Sequence, residues 1–234
     1  MTSPEQPPSF PVSARTRARR LPDRVSHEDA DVFRILDAGM LCHIAYVIDG
    51  QPFCTPTLYW RVGDRIYWHG SSASRMLRAQ HDRLPVCLTV SHLDGLVLAR
   101  CGFNHSVNYR AAMCFGTAAA VDDPGEKAQA LHAMLERFYP GRDGVLRPMT
   151  AQELKATGVV GMTIEEASAK VRAKMNADEP DDLSVPLWAG VVPVSTVIGP
   201  RQPCPHNLPG AREDGVTPYA PGLRLDEVFA RLAR

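Results

Sequence analysis

The dipeptide Asp49-Gly50 stands between the apolar run Leu41 to Ile48 and the run Pro52 to Val62, and it constrains this chain more than any other feature. A two-residue loop between antiparallel strands must follow their right-handed twist. The type I′ turn that does so needs positive φ at both positions, which Asp-Gly accepts. The two runs are therefore predicted to form a hairpin. Gly63-Asp64 then turns the chain into Arg65-Ile66-Tyr67-Trp68-His69-Gly70, a third strand that completes a meander. Further β-rich runs follow at Pro85 to Ser91, Leu96 to Phe103, Val107 to Val121, Gly158 to Ile164 and Trp188 to Ile198. Strands in such number that do not alternate regularly with helices predict a mainly β (α+β) fold. An antiparallel barrel with flanking helices fits better than a doubly wound sheet.

Helical segments frame this core. Ser26 and Asp29 resemble a capping box ahead of the apolar face Val32, Phe33, Ile35 and Leu36, and Gly39 stands where a left-handed helix terminus is common. A basic helix is expected around Ser74 to His81. A longer one is expected over Pro124 to Tyr139, with Ala128, Leu131, Leu135 and Phe138 on one stripe. Residues 1–22, rich in Pro, Ser and Arg, are expected as a flexible basic arm. Residues 23–200 form the barrel domain, and 201–234 a Pro- and Gly-rich extension with a short helix over Leu225 to Leu232.

The 26 basic and 26 acidic side chains cancel, so nothing marks the chain as a nucleic-acid binder. No apolar run is long enough for a membrane span, and Leu21-Pro22-Asp23 follows the arginines of the arm where a signal peptide would be apolar. The six cysteines (Cys42, Cys54, Cys87, Cys101, Cys114 and Cys204) form no CxxC pair. They read as buried thiols in a reducing compartment, the cytoplasm. Cys42-His43 and Cys204-Pro205-His206 are isolated pairs without zinc spacing, so no metal site is expected. Dinucleotide fingerprint, P-loop and nucleophile elbow are all missing.

The distinctive stretch runs from Thr55 to Arg75: hairpin strand, His69-Gly70-Ser71, then a basic residue opening a helix. It resembles the flavin-nucleotide-binding branch of the pyridoxamine 5′-phosphate oxidase-like superfamily, which includes nitroimidazole-resistance proteins. Further matches fall in order at Asn108-Tyr109-Arg110, at Ala169-Lys170-Val171-Arg172 and at Trp188-Ala189-Gly190. The resemblance spans about residues 24 to 200 and implies an FMN-binding split β-barrel that works as a homodimer with flavin at the subunit interface.

Residue by residue, the resemblance implies that Thr55, Pro56, Thr57, Leu58, Tyr59 and Trp60 run beside the isoalloxazine, with Tyr59 or Trp60 shielding a ring face. Gly70, Ser71, Ser74 and Arg75 are implied to hold the phosphate, since a dianion calls for a cation and hydroxyl or N–H donors. Tyr109 and Arg110 are implied to line the site, and Lys170, Arg172 and Trp188 to approach it from the second subunit. Ala111, where relatives carry serine, removes one hydroxyl. Read on their own, Arg75 and Arg78 could equally solvate a helix face, and Trp60 could be barrel packing.

His69 is the candidate catalytic group, because imidazole titrates near neutrality and could donate a proton beside a flavin. The function implied is an FMN-dependent oxidoreductase that uses a nicotinamide donor on a small nitro- or quinone-like compound. True pyridoxamine phosphate oxidation is not expected, as no second phosphate pocket is legible. Two alternatives stay open: a non-catalytic flavin binder, and a haem-binding or haem-degrading barrel in which His43, His69, His92 or His105 would ligate iron.

Overall fold

A computed structural model describes residues 7–233. The strands in chain order are β1 (Val25–Ser26), β2 (Leu41–Ile48), β3 (Gln51–Val62), β4 (Arg65–Ser71), β5 (Leu84–Leu98), β6 (Ser106–Ala120), β7 (Thr157–Thr163), β8 (Glu166–Arg172) and β9 (Gly190–Pro193). The helices are α1 (Asp29–Asp37), α2 (Arg75–Ala79), α3 (Pro124–Phe138), α4 (Ala151–Ala156) and α5 (Leu225–Leu232).

The governing hairpin forms as its turn requires, with φ of 49° at Asp49 and 75° at Gly50 and with β2 paired to β3 from Leu41↔Leu58 to Ile48↔Gln51. The sheet order is β1-β8-β6-β7-β4-β3-β2-β5-β9, and a further β6–β5 pairing closes β6, β7, β4, β3, β2 and β5 into a ring. Two strands change partner along their length. β3 pairs with β2 up to Leu58 and with β4 only from Tyr59. β6 gives Tyr109–Phe115 to β8 and only Ala119–Ala120 to β7. Those changes split the barrel, and the first leaves the β3 edge from Gln51 to Leu58 without a strand partner on the β4 side. Pro52 and Pro56 are tolerated there because proline removes a ladder donor and so is confined to edges.

Inside the ring Cys42, Ile44, Ile66, Trp68, Leu88, Ala112 and Cys114 make one core. A second cluster joins Trp60 and Tyr67 to Leu131 and Phe138 of α3 and Phe229 of α5. Burial drives the Cys42 thiol up to about 12 and raises the Cys114 thiol too, so both stay protonated. The expectation of uniformly buried cysteines is corrected at Cys54 and Cys204, which are exposed.

Several local readings also change. The run Pro85 to Ser91 and the start of the run Leu96 to Phe103 are one strand, β5, paired with β6 and interrupted by a bulge between Leu93 and Gly95; the strand ends at Leu98, and Gly102 and Phe103 fall in a 3-10 turn. The sequence His92-Leu93-Asp94-Gly95 looks like a turn because the bulge uses turn residues. Ser26 is not a cap. It belongs to β1, opposite Ala169 of β8, and Glu28 precedes α1 without a side-chain cap. Gly39 is not left-handed; it is small because a Cβ there would sit 3.1 Å from the His92 ring and 3.3 Å from the Tyr59 hydroxyl. In α3 the buried stripe carries Ala130 where Ala128 was expected.

Of the expected flexible arm, residues 1–6 lie outside the described residues, and the rest lies on the barrel. Phe10 is 9% exposed and meets Phe33 edge-on, Phe10 N–H donates to His27 O, and Arg15 pairs with Glu166. Two aromatic and ionic anchors offset the ordering entropy that composition alone said the segment could not cover.

Candidate functional site

The split between β3 and β4 gathers one group of the expected site residues. Phe53, Thr55, Thr57 and Tyr59 share the inward face of β3. Tyr46 stacks on Phe53, and its hydroxyl lies 3.0 Å from Thr55 Oγ1. The guanidinium of Arg75, at the start of α2, lies 4.4 Å from the centre of the Phe53 ring. The loop Ser71 to Arg75 therefore sits beside the free part of β3. Ser71 and Arg75 are exposed, and Ser74 closes the turn by donating N–H to Ser71 O at 2.8 Å. Arg75 forms no ion pair among the described residues, so its donors are available to an anion.

Other expected residues serve the fold. Tyr59 is buried, and its hydroxyl donates to Leu36 O at the end of α1. Pro56 faces outward, and Leu58 packs on the second cluster. Arg110 is engaged within the chain: Nε and Nη2 donate to Asp94 at 2.9 and 2.7 Å, and Nη2 also donates to Asp226 at 2.9 Å. The bulge at Asp94 swings that carboxylate onto it, a partner that spacing along the sequence does not reveal.

A second group, Tyr109, Lys170, Arg172 and Trp188, lies on β6, β8 and the β9 approach, away from β3 and β4 in the sheet order. Arg172 is 8% exposed and donates to Asn108 Oδ1 at 2.5 Å, whereas Trp188 is 64% exposed. Within one chain the structure does not bring this group to the split.

Of the four candidate histidines, three are explained without a ligand. His92 Nε2 caps Ile35 O at 3.1 Å, His105 Nδ1 caps Cys101 O at 2.9 Å, and His43 lies exposed on the outer face of β2. His69 differs. Its Nδ1 is buried and has no hydrogen-bond partner, and burial holds its pKa below the usual imidazole value. Its ring lies 5.7 Å from that of Trp60, whose Nε1 is likewise buried and unpartnered.

His69, Gly70 and Ser71 line an open cleft of about 720 Å³ whose other wall is Leu146, Arg147, Met149, Glu153, Ala156 and Thr157. The sequence reading missed that far wall. Thr150 and Glu153 form a reciprocal capping box that starts α4, and Arg147 chelates the Glu153 carboxylate at 2.5 and 2.9 Å, holding its pKa down to about 2. The pattern Thr150-Ala-Gln-Glu153 was the signal that could have located it. No group of three metal-ligating side chains occurs among the described residues, and no helix among them is long and apolar enough to cross a membrane.

A closed ring of antiparallel strands, opened where two of them change partner, defines a split-barrel protein. The chain belongs to the pyridoxamine 5′-phosphate oxidase family, whose model matches residues 28–171. Among solved structures it is similar to the flavocytochrome Anf3 from Azotobacter vinelandii, at 40% identity and TM-score 0.84 over 92% of this chain and 100% of that one. It is also similar to the FAD and haem binding protein from Mycobacterium smegmatis, at 34% identity and TM-score 0.80 over 86% and 99% of the two chains. A 5-nitroimidazole antibiotic resistance protein from Bacteroides thetaiotaomicron shares the fold, at 20% identity and TM-score 0.53 over 63% and 86%. No curated protein matches the sequence.

Proposed function

We propose that this protein is a redox protein carrying both a flavin and a haem, with His69 as the iron ligand. The observation that carries the reading is His69 itself: an unpaired imidazole on the wall of a large cavity, kept neutral by burial. A neutral ring offers its nitrogen lone pair to a metal at ordinary pH, which a protonated one cannot do. The lining fits a porphyrin, since Leu146 and Met149 give apolar contact and Arg147 and Ser71 give polar contact at the edge. The reading is supported by relatives at 40% and 34% identity that are named as a flavocytochrome and as an FAD and haem binding protein. When bound, haem and flavin supply one- and two-electron transfer that side chains cannot.

The flavin belongs to the free edge of β3, with Arg75 as the phosphate cation, and the likeness to the mycobacterial protein favours FAD over the FMN implied by the sequence. That loop and the haem cavity meet at Gly70 and Ser71. The protein acts as an oxidoreductase on a small molecule, and it acts as a homodimer. A second copy supplies Lys170 and Trp188 to the split, which one chain leaves without them. The outer rows Pro56–His43–Thr89–Met113 and Cys54–Ala45–Cys87, flanked at Phe115 by the Arg15 guanidinium, offer a surface for that pairing.

Reconstitution with haem and flavin followed by absorption spectroscopy tests the proposal. An intense Soret band that is lost in His69→Leu, while a flavin spectrum persists in both proteins, is the expected result. A His69→Leu protein with an undiminished Soret band would remove His69 from the iron, and release of FMN on denaturation would restore the smaller flavin.

A further inference from the structure

We propose that a second cavity, sharing Thr157 with that of His69, binds an organic carboxylate with an apolar body. It holds about 490 Å³, within the range of small-molecule sites. Its floor is Leu77, Val121, Val159 and Val160, all buried. Gly158 keeps that floor flat, because a Cβ there would come within 2.5 Å of Leu77 Cδ2.

The rim is rich in basic side chains. Arg78 of α2, His81 just beyond it, Lys127 of α3 and Lys155 of α4 come from separate segments onto one opening, and Asp122 is the single acid among the lining residues. Its nearest basic contact is His81, at 3.9 Å. Two of the four lysines in the chain are here.

Several cations elsewhere are neutralised within the chain: Arg61 by Asp37, Arg65 by Glu126, Arg100 by Asp178 and Arg110 by Asp94. Arg78, Lys127 and Lys155 make no ion pair among the described residues. Like charges gathered over an apolar floor, in a chain with 26 basic and 26 acidic residues, repel one another until a counter-ion arrives. Lys127 is also oriented, since Nζ donates to Leu154 O at 2.6 Å and keeps two further protons for an acceptor. A carboxylate at the rim would answer those donors, and its hydrocarbon part would cover the floor.

The inference does not use haem or flavin, so its fate is separate from that of the redox reading. Titration calorimetry with 1-naphthoate on the purified full chain tests it. Saturable binding that weakens with added salt is expected, with Arg78→Gln and Lys155→Gln each reducing affinity about tenfold, the scale of one hydrogen bond to a charged group. Arg34→Gln on α1 should bind like the unaltered chain, and so should His69→Leu. Three results would each overturn the proposal: no saturable heat, affinity unchanged in both rim variants, or loss of naphthoate binding in His69→Leu, which would move the anion into the neighbouring cavity.

Discussion

The C-terminal end of α1 and the pocket around His69 both place polar groups against an apolar interior, and they treat them in opposite ways. At α1 the carbonyls of Ile35, Leu36 and Asp37 are answered by side chains from other elements. His92 of β5 donates to Ile35 O, Tyr59 of β3 to Leu36 O, and Arg137 of α3 to Asp37 O at 2.5 Å. Helix termini carry such orphan acceptors by construction, and leaving one buried costs about 1–3 kcal/mol. On the neighbouring strands β3 and β4 the fold leaves Trp60 Nε1 and His69 Nδ1 buried with no hydrogen-bond partner. Groups that the fold spends on itself define structure, and groups that it leaves unspent beside a cavity define a site.

The largest effect that tests this contrast belongs to Arg137→Met. Its guanidinium bridges Asp37 O and, at 2.9 Å, Phe229 O, and thereby ties α1, α3 and α5 together. Burial pushes its pKa down, which marks a desolvated charge held by its acceptors. Two charge-assisted hydrogen bonds vanish in the variant, so urea unfolding should show a loss of about 3 kcal/mol. A loss below about 0.5 kcal/mol would mean that the clasp is decoration.

Tyr59→Phe comes next, with an expected loss of about 0.5–1.5 kcal/mol because Leu36 O loses the hydroxyl but keeps the Gly39 N–H, which donates to it at 3.2 Å. The same variant sharpens the assignment of residues to the split. Flavin absorption should not move, since the hydroxyl faces α1; a shifted flavin spectrum would return Tyr59 to the cofactor.

How much of this was legible in the sequence follows the range of the interactions. The β2–β3–β4 meander was readable because Asp49-Gly50 and Gly63 set their turns locally. Strand β8 was not recognised as one, since Glu166–Arg172 alternates small and charged residues and pairs with β6, more than fifty residues earlier. The bulge at Asp94 was misread as a chain reversal for the same reason: only the partner strand tells a bulge from a turn. In the site, His69 and Arg75 stood out through their motif. The duties of Tyr59 and Arg110 did not, because Leu36 and Asp226 are remote in sequence and a hydrogen-bond partner leaves no periodic trace.

The smallest expected effect, and the one that separates the two regions most cleanly, is that of His69→Leu on haem-free protein. At pH 8 the substitution removes a buried nitrogen that has no partner and inserts an apolar side chain of similar size, so stability should hold within about 0.5 kcal/mol or rise. Below neutrality the two proteins should diverge. Burial lowers the pKa of His69 in the folded chain, whereas in the unfolded chain it takes a proton near its ordinary value of about 6.5. Between those two values the unfolded state binds more protons, so the unaltered chain loses stability as pH falls through that window and regains it as pH rises. The leucine variant has no such group. Its stability relative to the unaltered chain should be level above about pH 7.5 and climb as pH drops below about 6.5. Urea midpoints at half-unit steps from pH 8 to 5 measure this directly. A difference that stays level over the whole range would show His69 titrating like a solvated imidazole and would dissolve the contrast with α1.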